Sequence, residues 1–345
     1  MRTILVCEAQ VPFVRGGAEY HVRALVEEFQ RQGYDADLVS VPFKWYPKHE
    51  ILPHAAAWRL IDLSESNGRP IDLVIATKFP TYFVRHPRKV AWLIHQYRAA
   101  YELAGTPYSD FTHTPEDVAL RERLVALDTE MLRECRGVFA NAETTAKRAR
   151  RFNGVEAAAL YHPPRLAARL RRGPMGAYML SVGRLESVKR VELAIRAMSH
   201  APDSLSLKIA GTGTRSTELE ALSHTLGLTS RVQFLGEVGD EELIGLYSGA
   251  LGVIFPPYDE DYGYVTLEAF LSGKPVVTTT DAGGPTEFVV DGLNGRVTAP
   301  DPEALGEAIQ FLAADVGRAA SLGDAGYERA CQVTWAGVIE TLVSA

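Results

Sequence analysis

The chain has 345 residues, 46% hydrophobic and 23% charged, with 29 Gly and 19 Pro scattered along it. This is globular usage with enough apolar residues for a sizeable core, and at about 100 to 200 residues per domain the length reads as two domains and excludes one small module. With 36 Lys plus Arg against 43 Asp plus Glu the formal charge is −7, a poor basis for gripping a polyphosphate backbone, so nucleic acid is excluded as the main partner.

The N-terminus passes from Met1-Arg2-Thr3 into the apolar run Ile4 to Cys7. That run is too short for a signal-peptide core, and no stretch approaches the roughly 20 apolar residues a membrane span needs. The reading is a cytoplasmic protein. Cys7, Cys135 and Cys331 are too widely spaced for a disulfide framework or zinc site. Ile4 to Cys7 reads as a buried strand, and after the pair Gly16-Gly17 the residues Ala18, Val22, Leu25, Val26 and Phe29 recur at helical spacing until Gly33. Strands follow at Asp37 to Val41, Leu73 to Ala76 and Val90 to Ile94, then a long helix from Pro115 to Arg136. The strand Val138 to Ala140, the helix Ala142 to Phe152 and the strand Ala158 to Tyr161 complete the first half, and His162-Pro163-Pro164 breaks the pattern.

Residues 165–176 carry Arg165, Arg169, Arg171 and Arg172 and close with Gly173, Pro174 and Gly176, which reads as an interdomain linker. A second alternation begins with the strand Tyr178 to Val182 and a helix face of Val191, Ala194, Ile195 and Met198. Further strands read at Leu205 to Ala210, Val232 to Leu235, Leu251 to Phe255 and Pro275 to Thr279, and Ala325 to Val343, with Trp335, reads as one closing helical stretch. Alternating strands and helices point to the α/β class, with parallel sheets in two doubly wound halves.

Open parallel sheets bind ligands beyond the carboxyl ends of their strands, so the loops after strands carry the candidate chemistry. Gly16-Gly17 precedes a helix, where a missing side chain lets backbone N–H groups approach an anion, although a plain tight turn explains the pair equally well. It is not a dinucleotide fingerprint. Gly211-x-Gly213 has Ser216 at the third glycine position, which disfavours a dehydrogenase. Gly183-Arg184 with Lys189 puts two cations on a strand-to-helix loop, suited to a diphosphate or else simply solvated.

Glu260 to Lys274 holds two carboxylates, Glu260 and Glu268, on either side of Gly263. With a helix from about Tyr264 to Gly273, the N–H groups of Gly263, Tyr264 and Val265 would face phosphate, and a carboxylate would accept from vicinal sugar hydroxyls. That division suits a nucleotide sugar, the plain alternative being two surface acids. Asp259-x-Asp261 is similar to the paired aspartates that hold a metal in another class of sugar transferases, but no His-rich ligand set accompanies it, and no metal is expected. Gly283-Gly284-Pro285-Thr286-Glu287 is a further close-approach pair at a helix start.

These loops in this order resemble the family 4 retaining glycosyltransferases, which have the two-domain GT-B fold. The resemblance covers nearly the whole chain. Gly183, Arg184, Leu185 and Lys189 match the family's Gly-Arg-Leu followed by Lys, and Glu260 with Glu268 matches its Glu-x7-Glu element. Gly211-Thr212-Gly213, Gly236-Glu237 and Gly283-Gly284-Pro285 with Glu287 fall where members have theirs. In the first half Gly16-Gly17-Ala18-Glu19, His95, Asn141-Ala142-Glu143, Tyr161-His162-Pro163-Pro164 and Val333-Thr334-Trp335 also match. Arg190 departs from the pattern, since many members have Gly or Asn there.

The resemblance implies two Rossmann-like parallel-sheet domains facing a central cleft: residues 1–168 with a returning helix of about 326–345 on the acceptor side, and residues 174–325 for the donor. It also implies roles. Arg184 and Lys189 would hold the diphosphate and stabilise its leaving charge, Glu268 would bind the ribose and Glu260 the donor sugar. Gly16, Gly17, Gly183, Gly211 and the backbone of Gly263, Tyr264 and Val265 would line the donor site, Glu237 and Val238 would lie near the base, and His95 would face the transferred sugar.

The implied reaction moves a hexosyl unit from a UDP- or GDP-sugar to an acceptor hydroxyl with retention, in polysaccharide, glycolipid or other glycoconjugate synthesis, without metal or other cofactor. A nucleotide-sugar epimerase of the same fold and a silent nucleotide-sugar-binding subunit are the alternatives. The acceptor would lie against loops around Arg15, Tyr20, His95 to Tyr108 and Phe43 to Lys48. The basic runs Lys147 to Arg151 and Arg165 to Arg172 could meet anionic headgroups at the inner face of the membrane, or be solvated helix faces.

Overall fold

The computed structural model describes residues 2–13 and 16–345; Arg15, assigned to the acceptor side above, lies outside them. The chain divides into two compact units, Met1–Arg165 with Thr334–Ala345, and Leu166–Val333.

In the first unit β1 (Thr3–Gln10), α1 (Gly17–Arg31), β2 (Asp35–Pro42), α2 (Ile51–Leu60) and a small hairpin of β3 (Glu65–Ser66) and β4 (Arg69–Pro70) come first. Then follow β5 (Leu73–Lys78), β6 (Lys89–His95), α3 (Pro115–Arg133), β7 (Gly137–Ala140), α4 (Glu143–Asn153) and β8 (Ala158–Ala159). The sheet runs β2-β1-β5-β6-β7-β8, and every pairing in it is parallel. All six residues of β5 are buried, because crossover helices cover both faces of a parallel sheet and each strand reads as a continuous apolar run.

Side-chain alternation sorts that run into two cores. Val6, Ile75 and Trp92 point to one face with Val22, Leu25 and Phe29 of α1. Cys7, Val74, Ala76, Ala91 and Leu93 point to the other with Ile51 and Trp58 of α2 and Leu124 and Leu132 of α3. α2 escaped the sequence reading because its apolar residues surround it with little one-sided periodicity. β8 is cut to Ala158–Ala159, and the Pro163-Pro164 pair that follows has no N–H to extend a ladder.

The second unit contains β9 (Tyr178–Val182), α5 (Val191–Ala197), β10 (Ser206–Ala210), α6 (Ser216–Thr225), β11 (Val232–Gly236), α7 (Asp240–Gly249) and β12 (Gly252–Ile254). After these come α8 (Tyr264–Leu271), β13 (Val276–Thr279), α9 (Pro285–Phe288), β14 (Gly295–Thr298), α10 (Pro302–Ala313) and α11 (Val316–Ala330). Its sheet, β11-β10-β9-β12-β13-β14, is parallel throughout. Counted within the unit this is the order 3-2-1-4-5-6, with the direction of winding reversing between β9 and β12. Met179, Leu207, Ile209, Ile254 and Val277 meet Val191, Ile195, Leu305 and Ile309 in one continuous core.

The closing stretch is two helices rather than the single one expected. α11 ends at Ala330, and α12 (Trp335–Ser344) starts after a break at residues 331–334. α12 belongs to the first unit, where Val338, Ile339 and Leu342 join the core against Ile4, Val6 and Trp92. Beside them the His21 ring centroid lies 4.2 Å from those of both Trp92, tilted, and His162, edge-on, and the His162 and Trp335 ring centroids are 5.3 Å apart.

Part of each basic run is paired within its own unit. Arg148 is buried against Glu102 at 3.3 Å, and Arg150 pairs with Glu156. In the second unit Arg169 bridges Asp240 and Glu241 at 2.9 and 2.7 Å, and Arg172 pairs with Asp324. Among the described residues no helix is long and apolar enough to cross a membrane.

Candidate functional site

The reversal between β9 and β12 is where an open α/β sheet leaves a crevice for a ligand. The loops leaving these two strands carry Lys189 and Glu260. The Lys189 ammonium donates to both Glu260 oxygens at 2.7 and 2.6 Å, and each side chain is only 16% exposed. An ammonium has three N–H donors, so one remains for an incoming anion. Arg184, on the same loop as Lys189, is exposed and its side chain has no ion pair or hydrogen bond among the described residues. An exposed, unpaired cation beside a paired cation and carboxylate can grip a diphosphate and a hydroxyl-bearing group together.

Backbone geometry explains how the loops reach one another. The amide of Gly183 donates to Ala210 O at 3.0 Å, and that of Gly211 to Gly236 O at 2.7 Å, so the loops after β9, β10 and β11 are laced together. Both glycines have strongly positive φ, 142° at Gly183 and 139° at Gly211, a region closed to side-chain-bearing residues. The Glu260 loop is tied likewise to the loop after β13: Glu260 N donates to Ala282 O and Gly284 N to Glu260 O, each at 2.8 Å. A Cβ on Gly283 would stand 2.5 Å from Glu260 O, so this close approach requires glycine.

Gly263 caps α8 with φ 79°, and Tyr264 and Val265 open the helix with their N–H groups in its unpaired first turn. Glu268 sits one turn on, where the Tyr247 hydroxyl of α7 donates to its Oε2 at 2.7 Å. Tyr247 is fully buried; burial, then the Glu268 charge, raises its phenol far above the ordinary value and keeps it a donor. Sequence reasoning missed Tyr247, which is indistinguishable from a core aromatic until the fold sets it against Glu268. Glu237 and Val238 follow β11, the former exposed and the latter half-buried. Gly183, Arg184, Lys189, Gly211, Glu237, Val238, Glu260, Gly263, Tyr264, Val265 and Glu268 thus share the carboxyl edge of the second sheet.

Gly16, Gly17 and His95 belong to the first unit. The Gly16 N–H is already bound by the Glu19 carboxylate at 3.0 Å, and Glu19 also takes the Lys78 ammonium at 2.9 Å. Burial alone would raise the Glu19 carboxyl, but Lys78 and the backbone N–H groups of Gly16 and Glu19 hold it below the usual range. The Gly16 N–H is therefore taken by the Glu19 half of a capping box, contrary to the expectation of an N–H presented to an anion. His95 ends β6 half-buried, its Nδ1 2.6 Å from the Gln96 carbonyl, a contact in which Nδ1 carries the proton and donates.

Two units, each with a six-stranded, doubly wound parallel sheet, have the GT-B fold. The Anabaena protein HepE, solved with UDP and glucose, superposes with a TM-score of 0.71 at 18% identity, covering 100% of both chains. Residues 166–329 match the model of the family described as glycosyl transferases group 1. An uncharacterized glycosyltransferase of Methanocaldococcus jannaschii is 25% identical over 92% of this chain and 90% of its own. The D-inositol 3-phosphate glycosyltransferase of Corynebacterium diphtheriae is 34% identical over 48% of this chain and 41% of its own, so that match spans under half of the relative. The chain is a glycosyltransferase, and over residues 166–329 it is similar to the group 1 family.

Proposed function

We propose that the second unit binds a nucleoside diphosphate sugar and that the enzyme passes its hexosyl group to an acceptor hydroxyl with retention and without a metal ion. The observation that carries this reading is the Lys189–Glu260 pair at the winding reversal with the unpaired Arg184 on the same loop. Arg184 and the free N–H of Lys189 would take the diphosphate and stabilise the charge that grows as the anomeric C–O bond breaks. Glu260 would accept from sugar hydroxyls, Glu268 from the ribose, and the amides of Gly263, Tyr264 and Val265 would complete the phosphate site. Glu237 and Val238 would lie near the base, and His95 would face the sugar.

Retention through a short-lived ion pair is favoured over a covalent intermediate, because both Glu260 oxygens accept from Lys189 and are poor nucleophiles while so engaged. In that route the new bond forms from the acceptor oxygen to the anomeric carbon, and the hydroxyl proton passes to the departing phosphate oxygen. The acceptor belongs to polysaccharide, glycolipid or another glycoconjugate.

The test is incubation with UDP-, GDP- and ADP-sugars in EDTA while nucleotide release and binding are followed. One donor is expected to bind and be slowly hydrolysed. Binding of none would refute the donor site, release that appears only with added divalent metal would refute metal independence, and an epimerised sugar as the product would replace transfer with epimerisation.

A further inference from the structure

We propose that Arg190 is a positioning residue that holds the donor loops in register, an inference that rests on the donor-site reading above. Arg190 has φ 47° and ψ 41°, the left-handed conformation that glycine or asparagine adopts with least strain. An arginine here implies compensation from its side chain. The guanidinium, 7% exposed, spends its fork on two other loops. It donates to Pro256 O at 2.9 Å and Pro257 O at 2.7 Å, in the segment that leads to Glu260. It also reaches Thr279 Oγ1 at 2.9 Å and the two Asp281 oxygens at 2.8 and 2.6 Å, at the start of the loop that carries Gly283 and Gly284.

The same three segments are joined by backbone. Tyr258 N donates to Val188 O at 2.7 Å and Asp259 N to Asp281 O at 2.9 Å. One planar fork thus ties the Lys189 loop, the Glu260 loop and the glycine-pair loop. A lysine ammonium is a single point and cannot span these acceptors. Burial with an ion pair makes Arg190 part of the fold, yet everything it grips leads either to Glu260 or to the loop hydrogen-bonded to Glu260. Its effect is therefore expected in donor binding as well as in stability.

Two readouts on the full chain test this. In Arg190→Asn, whose new side chain tolerates the left-handed backbone, the donor KM is expected to rise about tenfold to a hundredfold, the scale of a loop misplaced by about an ångström. Amide hydrogen exchange of the ligand-free protein is expected to quicken at Asp259, Glu260 and Gly284 and to stay unchanged in β10. Arg190→Lys and Asp281→Asn are expected to shift both readouts the same way, and they supply the measurement if Arg190→Asn does not fold. A donor KM equal to wild type with only a lower melting temperature and kcat would make Arg190 a brace of the fold alone and overturn the proposal. Unchanged exchange in both loops would overturn it too. If the wild type binds no nucleotide sugar the donor reading fails, and the exchange experiment still decides whether Arg190 orders the loops.

Discussion

Breaking the Lys189–Glu260 pair is the sharpest perturbation the second unit offers. At 2.6 to 2.7 Å the attraction at an effective dielectric of 20 is about 6 kcal/mol, most of it offset by the desolvation of two side chains. That balance is what a double-mutant cycle reads. Lys189→Ala leaves a carboxylate, and Glu260→Ala an ammonium, in a site only 16% exposed; each is expected to cost ~3 kcal/mol, while removing both costs ~1 to 2 kcal/mol because no unpaired charge remains. For a unit of this size 3 kcal/mol corresponds to a melting-temperature loss of roughly 6 to 12 °C.

Thermal unfolding of the two single variants and the double variant measures this. Turnover of the nucleotide sugar is measured on the same samples and should fall on the order of a hundredfold in each single variant, as loss of one charge-stabilising group does. Single-variant losses that sum to the double-variant loss within about 0.5 kcal/mol would show that the pair is not coupled. Undiminished turnover in both singles would remove their roles in the reaction.

Tyr247→Phe deletes the hydroxyl that donates to Glu268 at 2.7 Å without changing the buried ring, and is expected to raise the donor KM about fivefold at little cost in kcat, the worth of about one hydrogen bond; a KM equal to wild type would refute it. The His21 and His162 pair makes the first unit acid-sensitive. Burial pushes His21 down to about 3 from 6.5, and burial, followed by the repulsion that a second charge beside His21 would meet, lowers His162 as well. The fold keeps both neutral while the unfolded chain protonates them, so their contribution is fully present above pH 6.5 and is lost as the pH falls below it, in the case of His21 down to about 3. The slope is about 1.4 kcal/mol per pH unit for each histidine. In His21→Phe the dependence of melting temperature on pH below 6.5 should be about half as steep, and an unchanged slope would refute this account.

Much of the site was legible because its signals are local. Glycines stand where φ is strongly positive, as at Gly183, Gly211, Gly263 and Gly283, and a missing side chain is visible in any sequence. The buried strands of both sheets announced themselves as short apolar runs, since a parallel sheet is covered on both faces. α2 and β14 were not legible, one lacking periodicity and the other, Gly-Arg-Val-Thr, being half polar. Gly16 misled because the sequence could not say that Glu19 would turn back onto its N–H.

The sequence by itself determined that this chain is two α/β halves with cation, carboxylate and glycine loops after particular strands, because periodicity and φ are properties of neighbouring residues. Only the tertiary structure decided which of those loops meet. Lys189 and Glu260 are 71 residues apart, Arg190 and Asp281 91. Their contacts exist because crossover connections set β12 beside β9 and bring the carboxyl ends of both strands to one edge. No local pattern encodes that strand order, and the same order turned Tyr247, a core aromatic by every sequence criterion, into the partner of Glu268.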